Sequence, residues 1–148
     1  MASVYLGIDY GAKRVGLSHA DGLGFAFPLP AAVAPEPEER FAQIGREITR
    51  LRVTQLVLGY PLSVEGERTK RCDEVDAFAA ELTRRFGLPI ELFDEALSSQ
   101  AADELGGRRK PRSAQERRDQ ARSGERDSRA AAVLLQDFLN SRGIGAVL

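Results

Sequence analysis

A chain of 148 residues with 43% apolar side chains supports one ordinary domain around a single core. Its 21 basic and 22 acidic side chains leave a formal net charge of -1, which excludes a uniformly basic nucleic-acid binder and confines any such binding to a local patch. One cysteine, Cys72, and one histidine, His19, exclude a disulfide, a Cys/His zinc site and dithiol redox chemistry.

The first residues, Met1 to Gly7, hold no basic segment followed by a long apolar run, and no later run approaches the roughly 18 to 20 residues that span a bilayer. A cytoplasmic protein without a membrane partner is expected. Residues 4 to 33 read as three short strands: Val4 to Ile8, a turn at Gly11, Arg14 to Ser18, a turn at Asp21-Gly22, and Gly24 to Leu29. Spacing this close predicts an antiparallel meander. Pro35 to Glu39 marks a helix start, and Phe41, Ile44, Ile48 and Leu51 follow on one helical face.

Gln55 to Gly59 is a continuous apolar run closed by Pro61, as in a buried central strand. Arg68 to Phe86 reads as a second amphipathic helix with Val75, Phe78, Ala79 and Leu82 inward, stopped at Gly87, and Pro89 to Phe93 as the next strand. Ser98-Ser99 could open a short helix. From Leu105 to Ser123 apolar residues are few, so a mobile basic loop at about 105–123 is expected. A last helix carries Ala130, Ala131, Leu134, Leu135 and Phe138 inward, with Gly143 beyond its end. The order βββαβαβα predicts an α/β domain spanning 1–148. Its mixed five-stranded sheet has the first three strands antiparallel and helices on both faces.

Three acids invite chemistry. Asp9 ends the first strand, where it can equally be a turn residue before Gly11. Asp94-Glu95 ends the strand that starts near Pro89, where it can equally cap a helix. Asp127 lies three, four, seven and eleven residues before the inward positions Ala130, Ala131, Leu134 and Phe138, which aims it at the sheet; an N-cap is the alternative. With the first strand central, residues 55–59 beside it and the strand ending at Asp94 next, the three can meet. A site of several carboxylates without His or Cys is hard and oxygen-only, suited to Mg²⁺ or Mn²⁺. Crowded carboxylates repel, and a divalent cation compensates them.

Four blocks, Gly7 to Ser18, Leu56 to Leu62 with Gly66, Asp94 to Ser99, and Asp127 to Gln136, resemble the YqgF/RuvX family, the bacterial Holliday junction resolvases and pre-16S rRNA nucleases with an RNase H-like fold. The blocks stand in the right order and cover residues 4 to 140. The resemblance implies that Asp9, Glu95 and Asp127 are catalytic and hold a pair of divalent metals, Asp9 bridging both. A two-metal hydrolysis of phosphodiester bonds follows. Lys13, Arg14, Tyr60, Ser98, Ser99, Arg108, Arg109, Lys110 and Arg112 are the expected nucleic-acid contacts. Tyr10, beside Asp9, joins Tyr60 as a candidate stacking platform. The family commonly has Arg and then a Thr pair after the second acid, whereas Ala96 and Ser98-Ser99 stand here, one cation fewer near the site.

Processing of the 5′ end of pre-16S rRNA is the first functional expectation. Cleavage of Holliday junctions or other structured DNA is the second, and a non-catalytic RNA-binding ribosome-assembly factor the third. A homodimer is compatible with each. Gly16 to Ala20 lacks the final Gly of a nucleophile elbow, and Cys72, among charged neighbours, reads as a surface or half-buried thiol. The balanced charge divides unevenly: residues 1–107 carry 11 basic and 17 acidic side chains, residues 108–129 nine and four. A basic arm beside acidic metal ligands can hold a phosphodiester against carboxylates that would otherwise repel it.

Overall fold

The computed structural model describes residues 3–63, 65–94 and 125–145. The expected loop at 105–123, the helix start at Ser98-Ser99, and Glu95, Arg108, Arg109, Lys110 and Arg112 lie outside the described residues.

The elements are β1 (Tyr5–Tyr10), β2 (Val15–Ala20), β3 (Ala26–Ala32), α1 (Pro37–Leu51), β4 (Gln55–Tyr60), α2 (Lys70–Phe86), β5 (Ile90–Asp94) and α3 (Glu125–Ser141). They form a five-stranded sheet of order β3-β2-β1-β4-β5. β1 pairs antiparallel with β2 and β2 with β3, while β1 with β4 and β4 with β5 run parallel. Only the meander can be joined by tight turns; β4 and β5, which run parallel to their neighbours, are each reached through a helix, α1 after β3 and α2 after β4. At the second of those turns, between β2 and β3, Asp21 Oδ1 accepts from the Leu23 N–H at 2.9 Å, the local bond that makes Asp a turn former.

Alternation along each strand divides the core in two. Leu6, Ile8, Leu17, Leu56 and Leu58 face Ile44 of α1 and Val75 and Leu82 of α2. On the opposite side Tyr5, Ala20 and Val57 meet Leu135, Phe138 and Leu139 of α3. The helical spacings fix this division: Phe41, Ile48 and Leu51 join Ile44, and Phe78 and Ala79 join Val75. α2 ends where Gly87 turns left-handed at φ 66°, a conformation without penalty for glycine.

Three expectations change. The strand expected over Gly24 to Leu29 begins at Ala26 and runs on to Ala32 through Pro28 and Pro30; it is an edge strand, where the missing N–H groups of proline are tolerated. Ala130 is exposed, and Ala131, Leu134, Leu135, Phe138 and Leu139 form the buried stripe of α3. Cys72 is fully buried, its Sγ accepting from the Thr69 N–H at 3.3 Å where α2 begins.

Candidate functional site

The α3 face of the sheet is lined by the odd residues of β1 and the even residues of β2. Gly7 lies under α3 so tightly that an added β-carbon would stand 2.9 Å from Leu135 Cβ and 3.2 Å from the Ala131 oxygen. Ser18 Oγ donates to that same oxygen at 2.7 Å. Farther along, Ser128 Oγ donates to the Leu29 oxygen at 2.5 Å. The Gln136 side chain brackets the start of β3, accepting from the Ala26 N–H at 2.9 Å and donating to the Gly24 oxygen at 3.0 Å. These bonds fix both the height and the rotation of α3 over the strands.

That seating brings two of the expected acids to one place. Asp9 follows Gly7 on the same face of β1, and its register partner across β2 is Gly16. An added β-carbon at Gly16 would lie 2.0 Å from the backbone oxygen of Asp127 and 3.1 Å from its Cβ. The register between β2 and β3 shifts between Val15 and Leu17, so Gly16 occupies an irregular point of the strand. Asp127 therefore stands over Gly16, beside the strand position of Asp9. It lies inside the first turn of α3 and not at its cap, and it is half-buried.

Asp127 Oδ2 is buried and accepts no hydrogen bond, yet Arg14 Nε lies 3.0 Å from it. Arg14, expected to contact nucleic acid, is thus the counter-charge of an expected metal ligand. Lys13, next to it in the β1–β2 turn, is exposed. Among the described residues no group of three His, Cys, Asp or Glu side chains could hold a metal ion; the expected third acid, Glu95, follows the last residue of β5 and lies outside them.

The two tyrosines both have partners on the other face of the sheet. Tyr10 points to the α2 face, where its ring stacks on Phe78 at 4.6 Å between centroids and 23° between planes, so it belongs to the core. Tyr60 also lies on that side. Its hydroxyl accepts from Arg68 Nη1 at 2.5 Å and donates to Asp76 Oδ2 at 3.2 Å. Burial, with the Asp76 hydrogen bond, holds its phenol above the ordinary value. Two cations not expected at the site reach the β1–β2 turn: Arg40 Nη2 donates to the Ala12 oxygen at 3.4 Å and Arg71 Nη2 to the Tyr10 oxygen at 3.0 Å.

The family model for RuvX, described as Holliday junction resolvase, matches residues 3–141. The chain belongs to the RuvX family. A relative from Opitutus terrae, named "Putative pre-16S rRNA nuclease", is 41% identical over 93% of this chain and 91% of its own. A second of the same name from Anaeromyxobacter is 40% identical over 93% and 97%. Among solved structures, RuvC of T. thermophilus in complex with Holliday junction substrate aligns over 99% of both chains with a TM-score of 0.50 and 19% identity. The fowlpox virus Holliday junction resolvase covers 94% of this chain and 99% of its own at the same TM-score and 9% identity. These two likenesses show the fold of the RuvX chain, the RNase H-like architecture expected from its sequence.

Proposed function

We propose that this RuvX chain is a divalent-metal-dependent nuclease that hydrolyses phosphodiester bonds, with a precursor of 16S rRNA as its substrate. One observation carries the reading: Asp127 is seated over Gly16, beside the strand position of Asp9, with a buried carboxylate oxygen that accepts no hydrogen bond. The relatives' shared name supplies the RNA substrate.

The donor set fits a hard cation. Two carboxylates on one face of the sheet offer oxygen only, and the buried Asp127 Oδ2 accepts no hydrogen bond although Arg14 lies beside it. Asp9 and Asp127, with Glu95 from the residue after β5, would hold Mg²⁺ or Mn²⁺. When bound, a metal pair supplies Lewis-acid activation of water and charge stabilisation at the leaving oxygen. The protein's own residues do the positioning. Gly16 admits the helix, the Ser18 bond fixes its height, and Arg14 supplies the counter-charge of the Asp127 carboxylate. Lys13, exposed at the turn, is placed to meet a phosphate, and Ser98, Ser99, Arg108, Arg109, Lys110 and Arg112 are the further phosphate contacts that the sequence suggests. The region at the carboxyl end of β1 holds no aromatic platform from Tyr10, whose ring is committed to Phe78, which favours backbone recognition over base stacking.

Cleavage of branched DNA is the second reading, favoured by the family's description. The test compares wild type and Asp9→Asn on precursor 16S rRNA, single-stranded DNA and a four-way junction, with Mg²⁺ and with Mn²⁺. Metal-dependent cleavage of the RNA, abolished in the folded variant, is expected. Action on the junction alone selects the second reading, and equal activity of Asp9→Asn removes the site assignment. Absence of cleavage with every substrate and metal leaves an RNA-binding assembly factor.

A further inference from the structure

Most arginines with a resolved partner are neutralised. Arg50 meets Glu47, Arg68 meets Asp73 and Asp76, Arg85 meets Glu38 and Glu81, and Arg142 meets Glu91. Arg40 and Arg71 differ. Arg40 Nη1 donates to the Ala34 oxygen at 2.7 Å and the Pro35 oxygen at 3.1 Å, and its Nη2 to the Ala12 oxygen at 3.4 Å. Arg71 Nη2 donates to the Tyr10 oxygen at 3.0 Å. A carbonyl orients a guanidinium without cancelling its charge. Among the described residues neither group has a carboxylate partner within an ion-pair distance.

Both reach the same short stretch of backbone from different helices. Arg40 comes from the first turns of α1 and Arg71 from the first turn of α2, 28 and 61 residues along the chain from their turn partners. The turn adds the exposed Lys13. Bringing like charges together is unfavourable, and a cation in the first turn of a helix such as α2 also opposes the macrodipole. The fold bears both costs at the end of β1, around the Tyr10 and Ala12 carbonyls. Arg71 is exposed and uses one of its five N–H donors on the Tyr10 oxygen, leaving the others for a planar, bidentate acceptor.

We infer that Arg40 and Arg71, oriented by carbonyls around the β1–β2 turn, form a phosphate-binding platform that holds the backbone of a nucleic-acid strand at the carboxyl end of β1, the strand that carries Asp9 on its other face. The inference rests on the nuclease reading above and names the side chains that seat its substrate. Contacts of this kind position a strand without reading its bases. The ligand is the phosphodiester chain itself, whichever sugar it carries.

The experiment measures binding of a labelled single-stranded RNA and a DNA of the same sequence to the Asp9→Asn protein in EDTA, from low to moderate salt. Removing one phosphate contact lowers the slope of log K against log salt by about 0.7 for a single strand. Arg40→Gln and Arg71→Gln should each lose about that much, their combination about twice as much, on both strands and irrespective of sequence. Arg40→Lys and Arg71→Lys should keep the slope, because the charge remains; a merely structural clamp would suffer equally from Lys and Gln. The variants sit on separate helices, so either one alone reads the platform if the other does not fold. An unchanged slope in a folded Gln variant, or an equal loss in its Lys counterpart, overturns the platform. If the parent protein binds with these slopes while wild type cleaves nothing with Mn²⁺, the platform stands and the nuclease reading falls. If wild type cleaves and the Gln variants bind like the parent, the reverse holds.

Discussion

Asp127 rests on Gly16 with no room for a side chain between them: a β-carbon at position 16 would stand 2.0 Å from the Asp127 oxygen. The neighbouring atom is backbone, so it cannot swing aside as the end of a flexible side chain could. Gly16→Ala must push the start of α3 off the sheet or distort β2. Overpacking of this kind costs about 1–3 kcal/mol. Chemical denaturation should show that loss, and Mn²⁺ affinity should fall further than stability alone explains, because Asp127 moves away from Asp9. A variant with wild-type stability and metal affinity would show that the close approach has no bearing on the site.

Arg14 offers a second handle on the same carboxylate. Its guanidinium lies 3.0 Å from the buried Asp127 Oδ2 and neutralises the carboxylate proposed to hold a divalent cation. Arg14→Gln removes a competitor for the cation and leaves the carboxylate without that counter-charge. In EDTA the variant should melt below wild type, and added Mn²⁺ should raise its Tm by more than it raises that of wild type, since a ligand bound only by the folded state stabilises it in proportion to affinity. Calorimetric titration should show tighter Mn²⁺ binding. Weaker binding in the folded variant would assign Arg14 a supporting role instead of a competing one.

The sheet order and both core faces were legible because strand alternation and helical spacing survive in the one-dimensional pattern: Ile44, Val75 and Leu82 fall inward as their spacing predicts. The placement of Asp127 was legible for the same reason, although its neighbour Ala130 turns outward; a small residue carries little hydrophobic signal, so its phase on the helix is weakly specified. Arg40 and Arg71 could not be found this way. Each looks like an ordinary helix-surface charge in its own segment, and their meeting at Tyr10 and Ala12 exists only once two crossovers have closed. Tyr10 misled for a related reason: its nearness to Asp9 in sequence hides that adjacent strand residues face opposite sides of the sheet.

Ser18 is a buried hydroxyl, and its bond to the Ala131 oxygen at 2.7 Å ties β2 to the middle of α3. That oxygen sits within the helix ladder, so removing the hydroxyl does not strand it completely. Ser18→Ala should therefore cost about 1 kcal/mol, near the ordinary worth of one hydrogen bond. Urea denaturation should show a lower midpoint with an unchanged slope. A cost of zero would mean that apolar packing around Gly7 and Leu135 alone seats the helix.

The remaining handle is the pair of helices on the far face. Arg85 of α2 grips Glu38 of α1 through two bonds, Nη2 to Oε1 at 2.5 Å and Nη1 to Oε2 at 2.9 Å, while its guanidinium lies 4.2 Å from the centre of the Phe41 ring. The Arg85 hydrogen bonds hold the Glu38 carboxyl below its ordinary value. A carboxyl whose pKa is lower folded than unfolded binds more protons in the unfolded chain, so its contribution is present above the unfolded pKa of about 4.3 and disappears as pH falls through the folded value. Glu38 is largely exposed, and the effect is correspondingly small and screened by salt. Thermal melts of wild type and Glu38→Gln should differ modestly at pH 7, converge as pH drops below about 4, and differ less in 1 M salt than in low salt. A gap that persists undiminished at pH 3, or widens there, would show that the ion pair does not join α1 to α2.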